Sequence, residues 1–188
     1  MSNVLVISGH PALKNSWANI EILNCLEKSI PGINIRRLDS LYPNYQFDIA
    51  AEQAAMRAAD ILVLQFPFYW YGMPALMKKW QDDCFTHGFS HGSKGTALRG
   101  KKLIVSTTAG APAETYTHEG FMGYTPNELL APIHVCAKMT GMELQPLVFS
   151  AGISYIPGDA SPERIAAARA IAADHAKRLI EAIGKASI

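Results

Sequence analysis

Cysteine is scarce in this chain of 188 residues, and its scarcity excludes several kinds of protein. The three cysteines, Cys25, Cys84 and Cys136, lie far apart, and no CxxC pair occurs. Because small secreted domains and zinc sites depend on closely spaced cysteines, we expect neither a disulfide framework nor a cysteine-based metal site. A reducing cytoplasm is the natural setting for such a chain.

The chain also lacks an excess of either charge and a long uninterrupted apolar run. Its 17 Lys and Arg residues nearly balance 16 Asp and Glu residues, so the formal net charge is +1. A nucleic-acid partner and a polybasic membrane anchor are therefore not expected. Gln65, Pro67, Gly72 and Pro74 interrupt the longest apolar stretch, 61–77, and no basic segment marks a signal peptide. We expect a single cytoplasmic domain over residues 1–188.

Apolar runs alternate with helical patterns along the chain. The predicted strands are 4–7, 33–38, 61–66, 103–106 and 143–149, and the predicted helices are 16–29, 48–59, 74–85, 127–140 and one beginning at Ser161. This alternation predicts a doubly wound α/β domain, with a five-stranded parallel sheet and helices on both faces. Ligands bind such sheets beyond the carboxyl ends of the strands, so the loops after strands one, three and four are candidate sites.

The loop after the first strand carries small, hydrogen-bonding residues and leads into a helix. Free N–H groups and the positive helix end favour a phosphate there, and His10, Ser16 and Asn19 add side-chain donors. The segment, which includes Trp17 and Ala18, matches neither a Walker loop nor a GxGxxG fingerprint. A nucleoside triphosphate or a Rossmann dinucleotide is therefore disfavoured. An ordinary loop with Ser16 as the helix cap is the alternative.

Four successive aromatic residues follow the third strand. They are Phe68, Tyr69, Trp70 and Tyr71, preceded by Pro67. The four rings cannot all point into one core, and exposed rings beside backbone N–H groups suit a flat, partly apolar heterocycle. A dimer interface or an aromatic plug of the core is the alternative.

The loop after the fourth strand consists of small residues. It begins with Thr107, Thr108, Ala109 and Gly110. Small residues let the backbone approach a ligand closely and aim N–H groups at it, and Tyr116 and His118 follow within reach. A plain turn explains this segment equally well by itself. Three such loops at one edge of one sheet predict a ligand site more strongly than any one of them.

Two further classes of site lack their signatures. His87 and His91 are four residues apart, but Gly88 and Ser90 between them indicate a loop rather than a helix, so no metal ion is expected. The chain contains no GxSxG elbow, which argues against a hydrolase triad.

The segment from Gln65 to Trp80, QFPFYWYGMPALMKKW, resembles the core signature of the NAD(P)H:quinone oxidoreductases, the DT-diaphorase family. Residues 42–53 and 85–98 resemble a bacterial branch of that family, which includes the ancillary flavoprotein subunits of glutathione-gated potassium efflux systems. The resemblance extends from the first strand to the last and implies a flavodoxin-like fold.

The resemblance also implies roles for the three loops. His10 and residues 16–19 match the family's phosphate-binding loop, and residues 67–71 match the segment that holds the isoalloxazine, with Trp70 against the ring. Residues 107–110 match a TTGG loop in which Ala109 replaces a glycine. Such a replacement is expected to strain a backbone position with positive φ.

Tyr116 matches a tyrosine that lies over the reduced flavin in the family. Mammalian members place a histidine six residues after it, as the partner for the charge that develops during hydride transfer, where this chain has Met122. His118, two residues from Tyr116, is the candidate substitute.

The implied activity is a two-electron, ping-pong reduction: NADPH or NADH gives hydride to the flavin, and a quinone then takes its place. Nitroaromatic and azo compounds are alternative acceptors, because flat electrophiles share such a pocket. The resemblance favours FMN, with FAD as the alternative, since the mammalian members that hold FAD have an additional C-terminal region. It also implies a homodimer with each flavin near the subunit boundary.

Two other functions belong to different classes. The chain resembles regulatory subunits that bind and activate a potassium efflux transporter, so a membrane transporter is a candidate partner. A flavodoxin-like electron carrier fits less well, because such carriers are usually markedly acidic and this chain is close to neutral.

Overall fold

The computed structural model describes residues 2–154 and 161–188. Its strands are β1 (Val4–Ser8), β2 (Asn34–Arg37), β3 (Ile61–Pro67), β4 (Lys102–Thr108), β5 (Glu143–Leu144) and β6 (Val148–Ser150). Its helices are α1 (Trp17–Ser29), α2 (Leu38–Leu41), α3 (Ile49–Ala58), α4 (Ala75–Cys84), α5 (Pro126–Leu129), α6 (Ala131–Thr140) and α7 (Pro162–Ala186), with 3₁₀ turns at Leu13–Asn15 and Ala113–Thr115.

The strands form one parallel sheet, which confirms the predicted doubly wound fold. The order is β2-β1-β3-β4-β5, and β6 also pairs with β4. In the register between β1 and β3, Val4 lies beside Ile61 and Ser8 beside Gln65. Because the strand order reverses between β1 and β3, the crevice that this fold offers a ligand opens beyond Ser8 and Pro67.

Alternation along the strands sorts their side chains into two cores. Leu5 and Ile7 pack in one cluster with Trp80 of α4, whereas Val4 and Val6 pack in another with Leu179 of α7. Both faces of β1 and β3 are buried, as central parallel strands require. Helices α1 and α7 lie side by side on the second face, which we call the α1/α7 face.

The predicted fifth strand is divided in two, and the prediction of one continuous strand over 143–149 was wrong in this respect. Lys102 pairs with Glu143 and Ser106 pairs with Val148, so the second strand needs one more residue than β4 to cover the same stretch. The extra residue lies in the connector 145–147, where Pro146 has no N–H to offer β4.

The predicted helix over 127–140 is also divided. Leu130 has φ −93° and ψ 14°, and α6 begins after it with Pro132 in its first turn. A proline ring clashes with the carbonyl four residues earlier, which prevents α5 and α6 from forming one helix. Helix α6 ends at Gly141 with φ +72°, as predicted. The short helix α2 was not predicted.

Candidate functional site

A cavity of about 430 Å³ opens at the carboxyl edge of the sheet, where the reversal of strand order places the crevice. It is lined by His10, Ala12, Asn15, Ser16, Trp17, Ala18, Asn19, Pro67, Phe68, Tyr69, Thr108, Ala109, Gly110, Ile153 and Ser154. Its volume lies within the range of small-molecule sites. Residues from all three predicted loops therefore meet in one place.

The start of α1 supplies hydrogen-bond donors to this cavity. Ser16 caps the helix, because its Oγ accepts from the backbone N–H of Asn19 at 3.1 Å. The same Oγ accepts from Asn19 Nδ2 at 3.0 Å. With both lone pairs occupied, the Ser16 hydroxyl has only its proton left to offer a ligand. The start of α1 adds the positive end of the helix dipole.

Asn19 connects the helix cap to the sheet from a buried position. Its Nδ2 donates to Thr108 Oγ1 at 3.2 Å, and its Oδ1 accepts from Gln65 Nε2 at 2.9 Å. Thr108 lines the cavity, so a second hydroxyl stands beside that of Ser16. Gln65 was not predicted, although a polar residue near the end of the apolar strand β3 is a signal in the sequence.

His10 is buried at the entrance to α1, and its protonation state follows from its contacts. Its Nδ1 accepts from the backbone N–H of Ala12 at 3.1 Å, while Nε2 lies 3.4 Å from the Tyr69 hydroxyl. Burial lowers the pKa of His10, against the opposing effect of Asp39, which keeps the imidazole neutral near pH 7. The neutral ring therefore carries its proton on Nε2.

Asp39 of the unpredicted helix α2 fixes the same loop. Its Oδ2 accepts from the backbone N–H of Leu13 at 2.8 Å, at the start of the 3₁₀ turn that precedes α1. The partnership joins residues 26 positions apart, so the sequence pattern of the loop gave no sign of it.

The aromatic segment divides between the cavity and the surface. Phe68 and Tyr69 line the cavity, whereas Trp70 is 92% exposed and neither Trp70 nor Tyr71 lines it. Trp70 and Tyr71 have φ of 45° and 65° at the centre of a tight turn closed by the Gly72 N–H to the Tyr69 carbonyl. Such turns favour Gly and Asn, so the two bulky residues are held in strained conformations at the edge of the site.

The loop after β4 is relaxed where strain was expected. In the described part of the chain, the non-glycine residues with positive φ are Tyr45, Trp70 and Tyr71, so the expectation of strain at Ala109 was wrong. Ala109 instead donates its N–H to Ser150 O at 2.8 Å and accepts from Ile153 N–H at 3.0 Å. These bonds hold the loop beside the segment that follows β6.

The loop was predicted to begin at Thr107, but β4 continues through Thr108, and the side chain of Thr107 faces the other side of the sheet from that of Thr108. The Thr107 hydroxyl is buried and donates to the carbonyl of Phe66 at 2.8 Å. Ile153 and Ser154, which do line the cavity, were not predicted. They follow β6, and the strand-order argument directed attention to the loops after strands one, three and four only.

Tyr116 and His118 lie outside the cavity lining. Tyr116 is buried, with its ring 6.0 Å from that of Phe68 and 5.3 Å from that of Phe149. His118 is exposed, and its Nε2 lies 2.9 Å from a carboxylate oxygen of Glu128. Backbone and side-chain bonds from Thr125, together with His118, lower the pKa of Glu128 to about 2. Met122 packs against the core that contains Tyr116.

The donor set of the cavity fits a phosphate ester attached to a flat ring. The hydroxyls of Ser16 and Thr108 and the start of α1 suit an anion, while Pro67, Phe68 and Ile153 offer apolar surface beside it. In residues 2–154 and 161–188, no group of three or more His, Cys, Asp or Glu side chains could hold a metal ion. No helix in these ranges is long and apolar enough to cross a membrane.

Comparisons with known proteins agree with this geometry. The sequence model of a family described as having the flavodoxin-like fold matches residues 2–176. An uncharacterised NAD(P)H oxidoreductase of Bacillus subtilis is 37% identical over 152 residues, 81% of this chain and 87% of the relative. An ancillary protein of the glutathione-regulated potassium-efflux system of Enterobacter sp. (strain 638) is 40% identical over 147 residues, 76% of this chain and 80% of the relative.

Two solved structures are similar over nearly their whole length. General stress protein 14 of Treponema denticola, in complex with FMN, has a TM-score of 0.84 at 30% identity and covers 95% of this chain and 98% of its own. An NADPH-quinone reductase from P. pentosaceus has a TM-score of 0.72 at 26% identity and covers 90% of this chain and 97% of its own.

Proposed function

The chain belongs to the family with the flavodoxin-like fold, and we propose from this premise that it is an FMN-dependent oxidoreductase, which takes electrons from NADPH or NADH and reduces quinones. The observation that carries the proposal is the cavity beyond β1 and β3, where the Ser16 and Thr108 hydroxyls stand beside the start of α1 and next to Phe68 and Tyr69. The similar FMN complex and the similar NADPH-quinone reductase support the choice of cofactor and acceptor.

The proposed role of α1 and its cap is to hold the FMN phosphate. The hydroxyls of Ser16 and Thr108, at the positive end of α1, would donate to its oxygens, and Asn19 would keep the two hydroxyls in place. A phosphate site with these donors discriminates FMN from riboflavin. FMN is proposed over FAD because the similar general stress protein was solved with FMN.

The proposed role of residues 67–71 and 107–110 is to hold the ring and shape the acceptor site. Phe68 and Tyr69 would contact the isoalloxazine, and the exposed Trp70 ring would cover it or its acceptor from the rim. When bound, the flavin would supply the redox chemistry by taking two electrons from a nicotinamide and passing them to a quinone in a ping-pong cycle.

Tyr116 and His118 are the proposed groups for charge and proton balance. Tyr116 packs against Phe68, which lines the cavity, so its ring supports the wall on which the flavin would lie. In the structure, Nε2 of His118 is hydrogen bonded to the Glu128 carboxylate. His118 can therefore act in the reaction only when this bond breaks and Nε2 bonds to the reacting group instead.

The test is a binding and turnover measurement on the purified protein. We expect FMN to bind with a perturbed visible spectrum, FAD and riboflavin to bind more weakly, and NADPH oxidation to depend on added menadione. The full-length protein with Ser16→Asp, which keeps the helix cap, serves as the binding control. If the protein binds FMN but does not oxidise NADPH when menadione is added, the proposed reductase activity is wrong. If it binds no flavin, the whole proposed function is wrong.

The similarity to the potassium-efflux ancillary protein favours a second function, activation of a membrane transporter. In this case the flavin-loaded protein would bind the cytoplasmic part of such a transporter, and turnover would be secondary. Potassium efflux from cells that contain the transporter, with and without this protein, tests the idea. Unchanged efflux would leave the reductase as the function.

A homodimer is proposed as the working form. Val135 and Met139 on α6 are 65% and 67% exposed, and Phe121 and Tyr124 are also exposed apolar side chains. Val135 and Met139 are one helical turn apart and form one exposed apolar patch on α6, and such patches are typical of interfaces. Sedimentation equilibrium of the wild type and of Met139→Glu tests this: we expect a dimer that weakens in the variant, and a monomeric wild type would contradict it.

A further inference from the structure

A chain of polar side chains, buried between its two ends, crosses the α1/α7 face from the outside of α7 to the cavity. Arg178 donates to Ser150 Oγ at 2.7 Å, and Ser150 Oγ lies 2.9 Å from His175 Nδ1. On its other side, His175 Nε2 lies 2.7 Å from Ser106 Oγ, which is hydrogen bonded to Gln65 Oε1. Gln65 is the residue that donates to Asn19 at the cavity. We call this series the His175 chain.

Arg178 determines the direction of every bond in the His175 chain, because a guanidinium can donate but cannot accept. Ser150 Oγ accepts from Arg178, so its own proton must go to another acceptor, and His175 Nδ1 is the one within reach in the described part of the chain. Burial, and then the charge of Arg178, lower the pKa of His175 to about 3, so the ring is neutral near pH 7. Its single proton is therefore on Nε2.

The direction continues from His175 to the cavity. His175 Nε2–H donates to Ser106, and Ser106 then donates to Gln65 Oε1. Gln65 donates to Asn19 Oδ1, and the amide of Asn19 donates to Ser16 and Thr108. In the opposite direction, the Ser150 hydroxyl would accept twice and its buried proton would have no acceptor, which is costly. All donors thus point toward the cavity, where the chain ends in two hydroxyl protons.

We propose that His175 and Arg178 are positioning residues for the anionic group of the ligand, acting through the His175 chain on the hydroxyls of Ser16 and Thr108. Aligned hydrogen bonds polarise one another, so the guanidinium at the outer end strengthens the two donors at the inner end. The proposal rests on the proposed function in one respect, since it takes the phosphate of FMN as the anion. A purely structural role for His175 would stabilise the protein without favouring the phosphate.

The first test compares FMN with riboflavin, which lacks the phosphate. His175→Leu and Arg178→Met should lower the affinity for FMN by about tenfold, because one charge-assisted contact is weakened, and leave the affinity for riboflavin nearly unchanged. His175→Gln, whose amide can still donate toward Ser106, should recover part of the loss. Asp174→Asn is the matched control: it removes the carboxylate that pairs with Arg178 Nε without breaking the His175 chain, and the preference for FMN over riboflavin should not fall below that of the wild type.

The second test needs neither flavin nor a variant. Nitrogen-15 chemical shifts of the imidazole in the flavin-free full-length protein at pH 7 report which ring nitrogen of His175 carries the proton. We expect a neutral ring protonated on Nε2. A ring protonated on Nδ1, or on both nitrogens, would overturn the proposal, and so would equal losses of FMN and riboflavin affinity in the variants. A wild type that binds no FMN would overturn the proposed function instead, and the tautomer would still decide the direction of the chain.

Discussion

The His175 chain and a second buried cluster lie on opposite faces of the sheet and are built differently. The second cluster, here the Glu52 cluster, consists of the fully buried Glu52 carboxylate and three donors around it. Arg36 Nε lies 2.6 Å, the Tyr42 hydroxyl 2.6 Å and Trp80 Nε1 2.9 Å from its oxygens. All three residues donate to the Glu52 carboxylate, and Arg36 Nη2 also donates to the Tyr42 hydroxyl at 3.1 Å, so these bonds stay within the cluster and it is closed.

The difference indicates what each cluster is for. A closed cluster offers nothing to a ligand, and its donors and acceptor fix β2, α3 and α4 to one another. The His175 chain is open, because it ends in the hydroxyls of Ser16 and Thr108, two residues that line the cavity. Among buried polar groups, an open end at a cavity is thus a sign of binding, whereas complete internal pairing is a sign of structure.

Removing Glu52 should break the closed cluster and give the largest loss of stability. In Glu52→Ala, we expect the free energy of unfolding to fall by about 3–5 kcal/mol, because Arg36 loses the partner of its partly buried charge. Urea unfolding of the flavin-free protein measures it. The FMN-to-riboflavin affinity ratio of the folded variant should equal that of the wild type. A changed ratio would show that the two clusters are not independent.

Lowering the pH should affect the open chain through His175. Its pKa is near 6.5 in an unfolded chain and about 3 in the folded protein, mainly because of burial. Between these pH values the unfolded state holds the proton and the folded state does not, so stability is complete above 6.5 and is lost as pH falls. We expect a loss of about 2 kcal/mol between pH 6.5 and 5.

His175→Gln is the control for this pH dependence. Most of the slope should disappear in the variant, and a smaller slope should remain from His10, whose pKa is also lowered by burial. Urea unfolding at pH 7.5, 6 and 5 gives the comparison. An unchanged slope in the variant would mean that His175 is protonated in the folded protein.

Ser16→Asp should separate the helix cap from the ligand site at the open end of the chain. Asp caps helices about as well as Ser, so we expect the free energy of unfolding to change by less than about 1 kcal/mol. FMN affinity should still fall by about tenfold or more, because a carboxylate would face the phosphate. Ser161→Asp makes the same change at the cap of α7 and should not alter flavin affinity. Equal effects at the two caps would contradict the phosphate site.

Trp70 tests the rim of the cavity, outside both clusters. Trp70→Gly should raise the free energy of unfolding by about 1 kcal/mol, because glycine accepts the positive φ at this position. Trp70→Ala keeps the strain and removes the ring. Both variants should retain FMN less well, as measured by the flavin content after gel filtration. Wild-type flavin content in both would contradict a contact of Trp70 with the flavin.

The doubly wound fold and the three loops could be predicted from the sequence because they depend on local patterns. Buried parallel strands have continuous apolar runs, and the topology then places their following loops at one edge. The two interruptions also have local causes, since Pro146 and Pro132 break a strand and a helix. These prolines were visible, but the apolar pattern around them favoured continuous elements.

The rest depends on contacts between distant residues. His175 and Ser106 are 69 positions apart, and Asn19 and Thr108 are 89 apart, so no window of sequence contains either pair. A partial signal existed: His175 lies on the same apolar helix face as Ala172 and Leu179, where an uncharged histidine needs partners. The direction of the chain follows only from the full set of contacts, beginning at Arg178.

The connector 145–147 decides which residue completes the His175 chain. If the strand continued from β5 without an extra residue, Phe149 instead of Ser150 would pair with Thr108. The benzene ring of Phe149 would then take the place of the Ser150 hydroxyl next to His175. The connector therefore matters because it takes up the one residue by which this part of the chain exceeds the matching stretch of β4. Deleting one connector residue removes the extra residue and leaves Ser150 paired with Thr108. Replacing Pro146 by valine, which favours strand structure, should instead allow the strand to shift by one residue, so that its side chains exchange the two faces of the sheet. A length change is usually the severe mutation in a strand, yet at this position it is the milder of the two.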